Sequence, residues 1–170
     1  MKSPLMLCLA LMAGTAAAQE AKPHGGFSAG IEMREQATSK DLGLPIYPGA
    51  QVQRDTKDDK GAVTLGLWGG LFGVHLAVAQ YRSSDSLDEV AGFYRRALAP
   101  YGKALECRAD NSGKLAPQPA PGQLGCEDAE PGRDGLVLKV GSKKDQRVVA
   151  FQIKGKELHF QLVRLTARGD

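Results

Sequence analysis

Ser83-Ser84-Asp85-Ser86-Leu87-Asp88-Glu89-Val90-Ala91-Gly92-Phe93-Tyr94-Arg95-Arg96-Ala97-Leu98 is the one segment of this chain that reads as a long amphipathic helix. Ser86, with Glu89 three residues on, makes a capping box in which each side chain meets the other residue's amide. Asp85 is a competing cap one position earlier. Leu87, Val90, Ala91, Tyr94, Ala97, Leu98 and Tyr101 recur at helical spacing and share a face, with Phe93 at its margin. Asp88, Glu89, Gly92 and Arg96 lie opposite. Acid opens the segment and Arg95-Arg96 closes it, as the helix dipole favours. Pro100 disfavours helical geometry at Ala99, and Gly102 offers a left-handed exit. The spacing predicts a helix over about 86–99 that rests its apolar face on a sheet.

The sheet is read on both sides of that helix. Downstream, Leu136, Leu138 and Val140 alternate, then Val149, Phe151 and Ile153, then Leu158, Phe160 and Leu162. Turns fall at Gly141–Asp145 and at Lys154-Gly155-Lys156. This predicts a meander with one apolar face, and that face receives the helix. Lys139, Lys143, Lys144, Arg147, Lys154 and Lys156 make this part basic. Solvated strand edges and turns account for them as well as a weak anion-facing patch would.

Upstream, Val63, Leu65 and Leu67 alternate along one strand, and Gly69-Gly70 reads as a hairpin turn. Phe72, Val74, Leu76 and Val78 then alternate against Gly73, His75, Ala77 and Ala79. Trp68, Leu71 and Phe72 stand at that turn. They either fold back over the core, the favoured reading, or form an apolar tip that touches a membrane or a partner. His75, on the small-residue side, either lines a groove or is a tolerated strand histidine. Trp68, Leu71, Phe72 and His75 are therefore the candidate interaction surface. Leu44 to Ala50, held extended by Pro45 and Pro48, opens the fold. Asp55 to Gly61 is a polar hairpin tip.

The first 18 residues read as a secretory signal. Lys2 supplies the positive start, Leu5 to Ala13 a short apolar run, and Thr15-Ala16-Ala17-Ala18 the small residues for cleavage after Ala18. The run is too short to span a bilayer as a permanent helix. Residues 19–43 read as a flexible tail, with a short helix allowed around Ile31 to Gln36, 44–166 as one domain and 167–170 as a C-terminal tail. Cys8 leaves with the leader, so Cys107 and Cys126 remain, which in an exported chain read as a disulfide. Closing that loop contributes about 3 kcal/mol, largely by restricting the unfolded chain. Ala109 to Arg133 is one long Pro-rich irregular segment that the disulfide would tie down.

The totals exclude some functions. The 170-residue chain carries 22 basic and 19 acidic residues, a formal charge of +3 with no dense basic block, and only 6% aromatics. That is not the profile of a nucleic-acid binder. Histidines occur at 24, 75 and 159, in no metal-ligand spacing, and there is no nucleophile elbow or phosphate loop. Ser142 beside Lys143 and Lys144 sits in a turn expected to be exposed. No catalytic residue, metal ligand or cofactor is assigned. The fold class is α+β: an antiparallel sheet of about five to seven strands, one main helix on one face, and one disulfide.

Certain motifs carry a resemblance. Gly43-Leu44-Pro45-Ile46-Tyr47-Pro48-Gly49-Ala50, the helix segment from Tyr81 through Leu98, Tyr101-Gly102-Lys103, Leu105-Glu106-Cys107 and Leu138-Lys139-Val140-Gly141-Ser142-Lys143 with Gln146 resemble a family of small exported bacterial proteins of unknown function. The resemblance covers about Gly43 to Leu165. It implies export and a single α+β domain, and it carries no chemistry. The expected function is a non-catalytic periplasmic binding or interaction module, a monomer or weak oligomer, serving an envelope protein or a small ligand. A membrane-surface protein using the apolar tip near Trp68, and an enzyme of unknown class, are the alternatives.

Overall fold

The computed structural model describes residues 29–54, 60–109, 123–132 and 134–169. Along the chain run β1 (Ala29–Arg34), α1 (Ser39–Leu42), β2 (Gln51–Val52), β3 (Ala62–Gly69), β4 (Phe72–Ser83) and α2 (Leu87–Leu98). They are followed by β5 (Leu105–Cys107), β6 (Leu136–Ser142), β7 (Asp145–Lys154) and β8 (Glu157–Arg168). The eight strands form one antiparallel sheet in the order β1-β3-β4-β8-β7-β6-β5, with β2 added beside β4.

Helix α2 starts where its capping box predicts. The Ser86 Oγ accepts from the Glu89 amide at 3.3 Å, and the Ser86 amide donates to Glu89 Oε2 at 3.1 Å. Asp85 does not cap; it accepts from the Tyr47 hydroxyl at 2.8 Å. A turn of 3-10 helix, Ala99–Tyr101, extends the helix past Leu98. Val90, Ala91, Tyr94 and Leu98 are fully buried on the sheet. Each large side chain among them contributes about 1.5–3 kcal/mol. The Tyr94 ring lies 5.7 Å from that of Phe160 and 6.2 Å from that of Phe151. At the solvent side Arg95 grips the β5 residue Glu106 with two hydrogen bonds, at 2.6 and 3.1 Å.

The sheet's helix-covered face follows from register. One cross-strand row runs Leu136, Phe151, Phe160, Tyr81. The next runs Leu138, Val149, Leu162, Ala79, Ala62. These rows hold the core, so the inward residues expected of β6, β7 and β8 are the ones found, Ile153 excepted, which is exposed. Toward β3 the face thins to Ala77, Thr64 and Gly66. There Leu42 of α1 and Leu44 fill the space. Three hydroxyls pin the chain on the two sides of α1. Tyr94 Oη accepts from the Tyr47 amide at 3.2 Å, the Tyr101 hydroxyl donates to the Gly43 carbonyl at 2.9 Å, and Thr64 donates to the Gln36 carbonyl at 2.7 Å. Burial pushes the Tyr94 hydroxyl well above its ordinary pKa.

The ends of the domain differ from expectation. Ala29 to Arg34, placed in a flexible tail, is an edge strand paired along its length with β3. No helix forms over Ile31 to Gln36; the short helix lies at Ser39–Leu42, with Thr38 as its cap. Strand β8 continues to Arg168, into the expected C-terminal tail. Among the described residues the sheet accordingly has eight strands rather than five to seven. Cys107 and Cys126 are joined, their Cα atoms 5.6 Å apart. The signal segment, His24, the polar tip at 55–59 and most of the Pro-rich segment lie outside the described residues.

Candidate functional site

The second face of the sheet is apolar too. Reading register across β1, β3, β4 and β8 gives three parallel rows. The first is Ile31, Leu67, Val74, Ala167. The middle row is Met33, Leu65, Leu76, Leu165. The third is Val63, Val78, Val163, continuing to Val148 on β7. No residue in these rows from β1 to β8 has a polar side chain, and neither helix covers them. Ile31 is 75% exposed and Met33 69%, and the others stay partly accessible. A sheet with one solvated face ordinarily presents polar residues there.

Val63, Leu65 and Leu67 share a side of the β3–β4 hairpin with Val74, Leu76 and Val78, as their alternation predicts, and that side is the open face. The alternation fixes which residues share a side; it does not say which side receives the helices. The small side, with Gly66, Ala77 and Ala79, leaves room for α1 and the Leu44 segment.

A wall bounds the rows on the β6 side. Residues 123–132 lie over β5, β6 and β7 on this same face, where Cys126 and Ala129 pack on Cys107 and Val137. Under this layer Lys139, expected at a solvated edge, is only 3% exposed along its side chain. Its ammonium donates to the Gly125 carbonyl at 2.7 Å and to the Asp128 carboxylate. Burial alone would raise the Asp128 pKa, but the hydrogen bond and charge of Lys139 hold it below the ordinary carboxylate range. At the foot of the wall Leu76, Val148, Val163 and Leu165 meet Ala129, Asp128 and Gln146 around a recess of about 190 Å³, and the buried Gln146 Oε1 accepts no hydrogen bond there from the described residues.

Beyond the third row the face turns polar. Gln80 and Gln161 are cross-strand partners, and His159 pairs with Gln152 on the neighbouring strand. With Gln53 and the 130–132 edge of the wall they line a cleft of about 320 Å³. His159 Nδ1 lies 2.7 Å from Gln53 Oε1, and Nε2 lies 3.8 Å from Glu157. Neither contact joins the imidazole to a serine, threonine or cysteine, the partner that nucleophilic catalysis uses.

The four candidate surface residues do not form one patch. Leu71, at the β3–β4 turn, is 93% exposed. Phe72 is also exposed but shares the open face with Val74. Trp68 and His75 lie on the opposite face, where with Glu32, Thr166 and Arg168 they line a cleft of about 320 Å³. The indole lies against Gly30 so closely that a Cβ there would overlap it. The three apolar residues of the turn are thus exposed rather than folded over the core.

Among the described residues no group of three or more His, Cys, Asp or Glu side chains is placed to hold a metal. Among them, too, no helix is long and apolar enough to cross a membrane. No protein-family model, curated protein or solved structure matches the chain.

Proposed function

We propose that this protein is an exported, non-catalytic interaction module that works through the open aliphatic face of its sheet. The observation that carries the reading is the set of three cross-strand rows, from Ile31 to Leu165, without a polar side chain. Monomeric soluble proteins rarely leave so continuous an apolar surface bare, and where one occurs it marks an interaction site. Export rests on the Lys2, Leu5–Ala13 and Ala16–Ala18 leader pattern and on the joined Cys107 and Cys126, a bond kept in oxidising compartments. The resemblance to small exported proteins points the same way.

Methyl-resolved NMR of the purified protein, with and without an envelope extract from an exporting host, tests this. Shifts and broadening are expected at Leu65, Leu76 and Leu165, with Leu98 in the core unmoved. Open-face methyls that respond neither to the extract nor to dilution of the protein would remove the reading.

A second reading has its own observation. Leu71 at 93% exposure, between exposed Trp68 and Phe72, makes an apolar turn that can touch a membrane surface. Trp68 is the single tryptophan, so its emission reports directly. A blue shift with anionic vesicles would favour this reading, and an unchanged spectrum would end it.

A further inference from the structure

We propose that the partner of the open face is a second copy of this chain, the two sheets stacking face to face into a sandwich. The inference rests on the reading of that face as an interaction surface.

Three properties select this occupant. The first is shape. The recess at the foot of the wall, about 190 Å³, is smaller than the ~300 Å³ at which small-molecule sites begin. The rest of the face is a twisted plane, the form that another sheet covers at a spacing of about 10 Å.

The second property is chemistry. From β1 to β8 the rows offer no charge and no side-chain donor or acceptor by which a different partner would be chosen; the polar groups of the recess, Gln146 and Asp128, stand at the wall. An uncharged aliphatic surface is complementary to itself, as a two-fold interface requires. The rim next to Val63 carries Lys60 paired with Glu35 at 3.7 Å. That mixed charge does not favour an anionic bilayer, which basic residues attract.

The third is area. Four strands at about 4.8 Å and three same-face rows at about 6.7 Å give a footprint of roughly 20 by 20 Å. The corrugated accessible surface is larger, about 600 Å² per copy and so about 1,200 Å² in total. That value sits at the lower end of stable interfaces and well above ordinary lattice contacts. The layer of residues 123–132 already covers the β5–β6–β7 part of the face. An incoming sheet therefore abuts this wall at Ala129, which limits how far the two copies slide.

Sedimentation velocity on the purified protein, from about 1 to 200 µM, tests the proposal. A concentration-dependent dimer with a micromolar dissociation constant is expected. Leu76→Glu, in the middle row, should weaken it at least a hundredfold. Met33→Lys, at the exposed edge strand and away from the core, should weaken it at least tenfold while leaving the thermal unfolding midpoint of the monomer unchanged, so a folding defect at Leu76 does not obscure the outcome. Arg96→Glu, on the outer side of α2, should leave the dimer intact. A monomer throughout the range overturns the proposal, as does a dimer that ignores both face variants. A monomer that dimerises only when residues 19–28 are removed assigns the face to the chain's own N-terminal segment and overturns it too. If the pure protein is monomeric but envelope extract still moves the Leu65 and Leu76 methyls, the second copy is excluded and the interaction reading stands. If neither occurs, both fail.

Discussion

The ammonium of Lys139 and the carboxylate of Asp128 meet at the inner side of the disulfide-closed loop, in a contact that leaves the lysine 3% exposed. A buried ammonium needs its partners, because an unpaired charge there keeps its desolvation penalty without compensation. Asp128→Ala should therefore cost about 2–3 kcal/mol, measured by urea unfolding. Lys139→Met, which removes the charge and keeps the volume, should cost much less and raise the Asp128 pKa toward its ordinary value. Because that pKa is depressed in the folded protein, the pair's stabilisation is present above the ordinary carboxylate pKa of about 3.9. It should decline as pH falls below that value toward the depressed pKa of the folded state, and Lys139→Met should flatten the decline.

Lys139 also shows where the sequence was silent. Its neighbours Leu138 and Val140 face the helix, so alternation places Lys139 outward, and only the fold reveals that the segment preceding β6 folds back to cover that side. The capping box at Ser86 and the inward rows of β6 and β8 were legible, because cap chemistry and period-2 alternation are local. β1 carried the same alternation, Ile31 and Met33 against Glu32 and Arg34, within a polar, glycine-bearing stretch that reads as a tail. The hairpin of β3 and β4 had an unambiguous pattern and an undetermined face. Helices occupied the side of small residues, and the bulkier aliphatic side became the candidate site.

Reducing the Cys107–Cys126 bond should release the wall while the α2–sheet core persists. The two cysteines are 19 positions apart, a loop whose closure contributes about 3 kcal/mol. Chemical unfolding with and without reductant should differ by about that amount. Hydrogen exchange should rise first at Ala129, whose amide is bonded to the Cys126 carbonyl at 3.0 Å.

The short helix α1 depends on its cap. Thr38 Oγ1 accepts from the Asp41 amide at 3.3 Å, and the Thr38 amide and hydroxyl donate to Asp41 Oδ2 at 2.8 and 2.6 Å. With Arg34 added, these bonds draw the Asp41 pKa down to about 2. Its stabilisation is present above about pH 4 and is lost as pH falls toward 2. Thr38→Ala should cost about 1 kcal/mol at neutral pH, as other lost caps do. An acid titration of Asp41 by NMR should show its midpoint rise in that variant.

Gly30 leaves room for the Trp68 indole, which is 48% exposed. Gly30→Ala should push the ring away from β1. Acrylamide quenching of the single tryptophan should increase, with little loss of stability because β1 is an edge strand.

The strand at the middle of the sheet is the one that joins its two halves. β8, Glu157–Arg168, bonds to β4 on one side and β7 on the other. Without it, β1 to β4 and β5 to β7 are two unfinished sheets with no hydrogen bond between their strands. Their union needs β8, and it joins positions as far apart as Gly73 and Arg168. Such distant pairings are slow to form. The sheet is therefore completed by its most distant pairing, and a premature stop before Glu157 should leave no assembled domain.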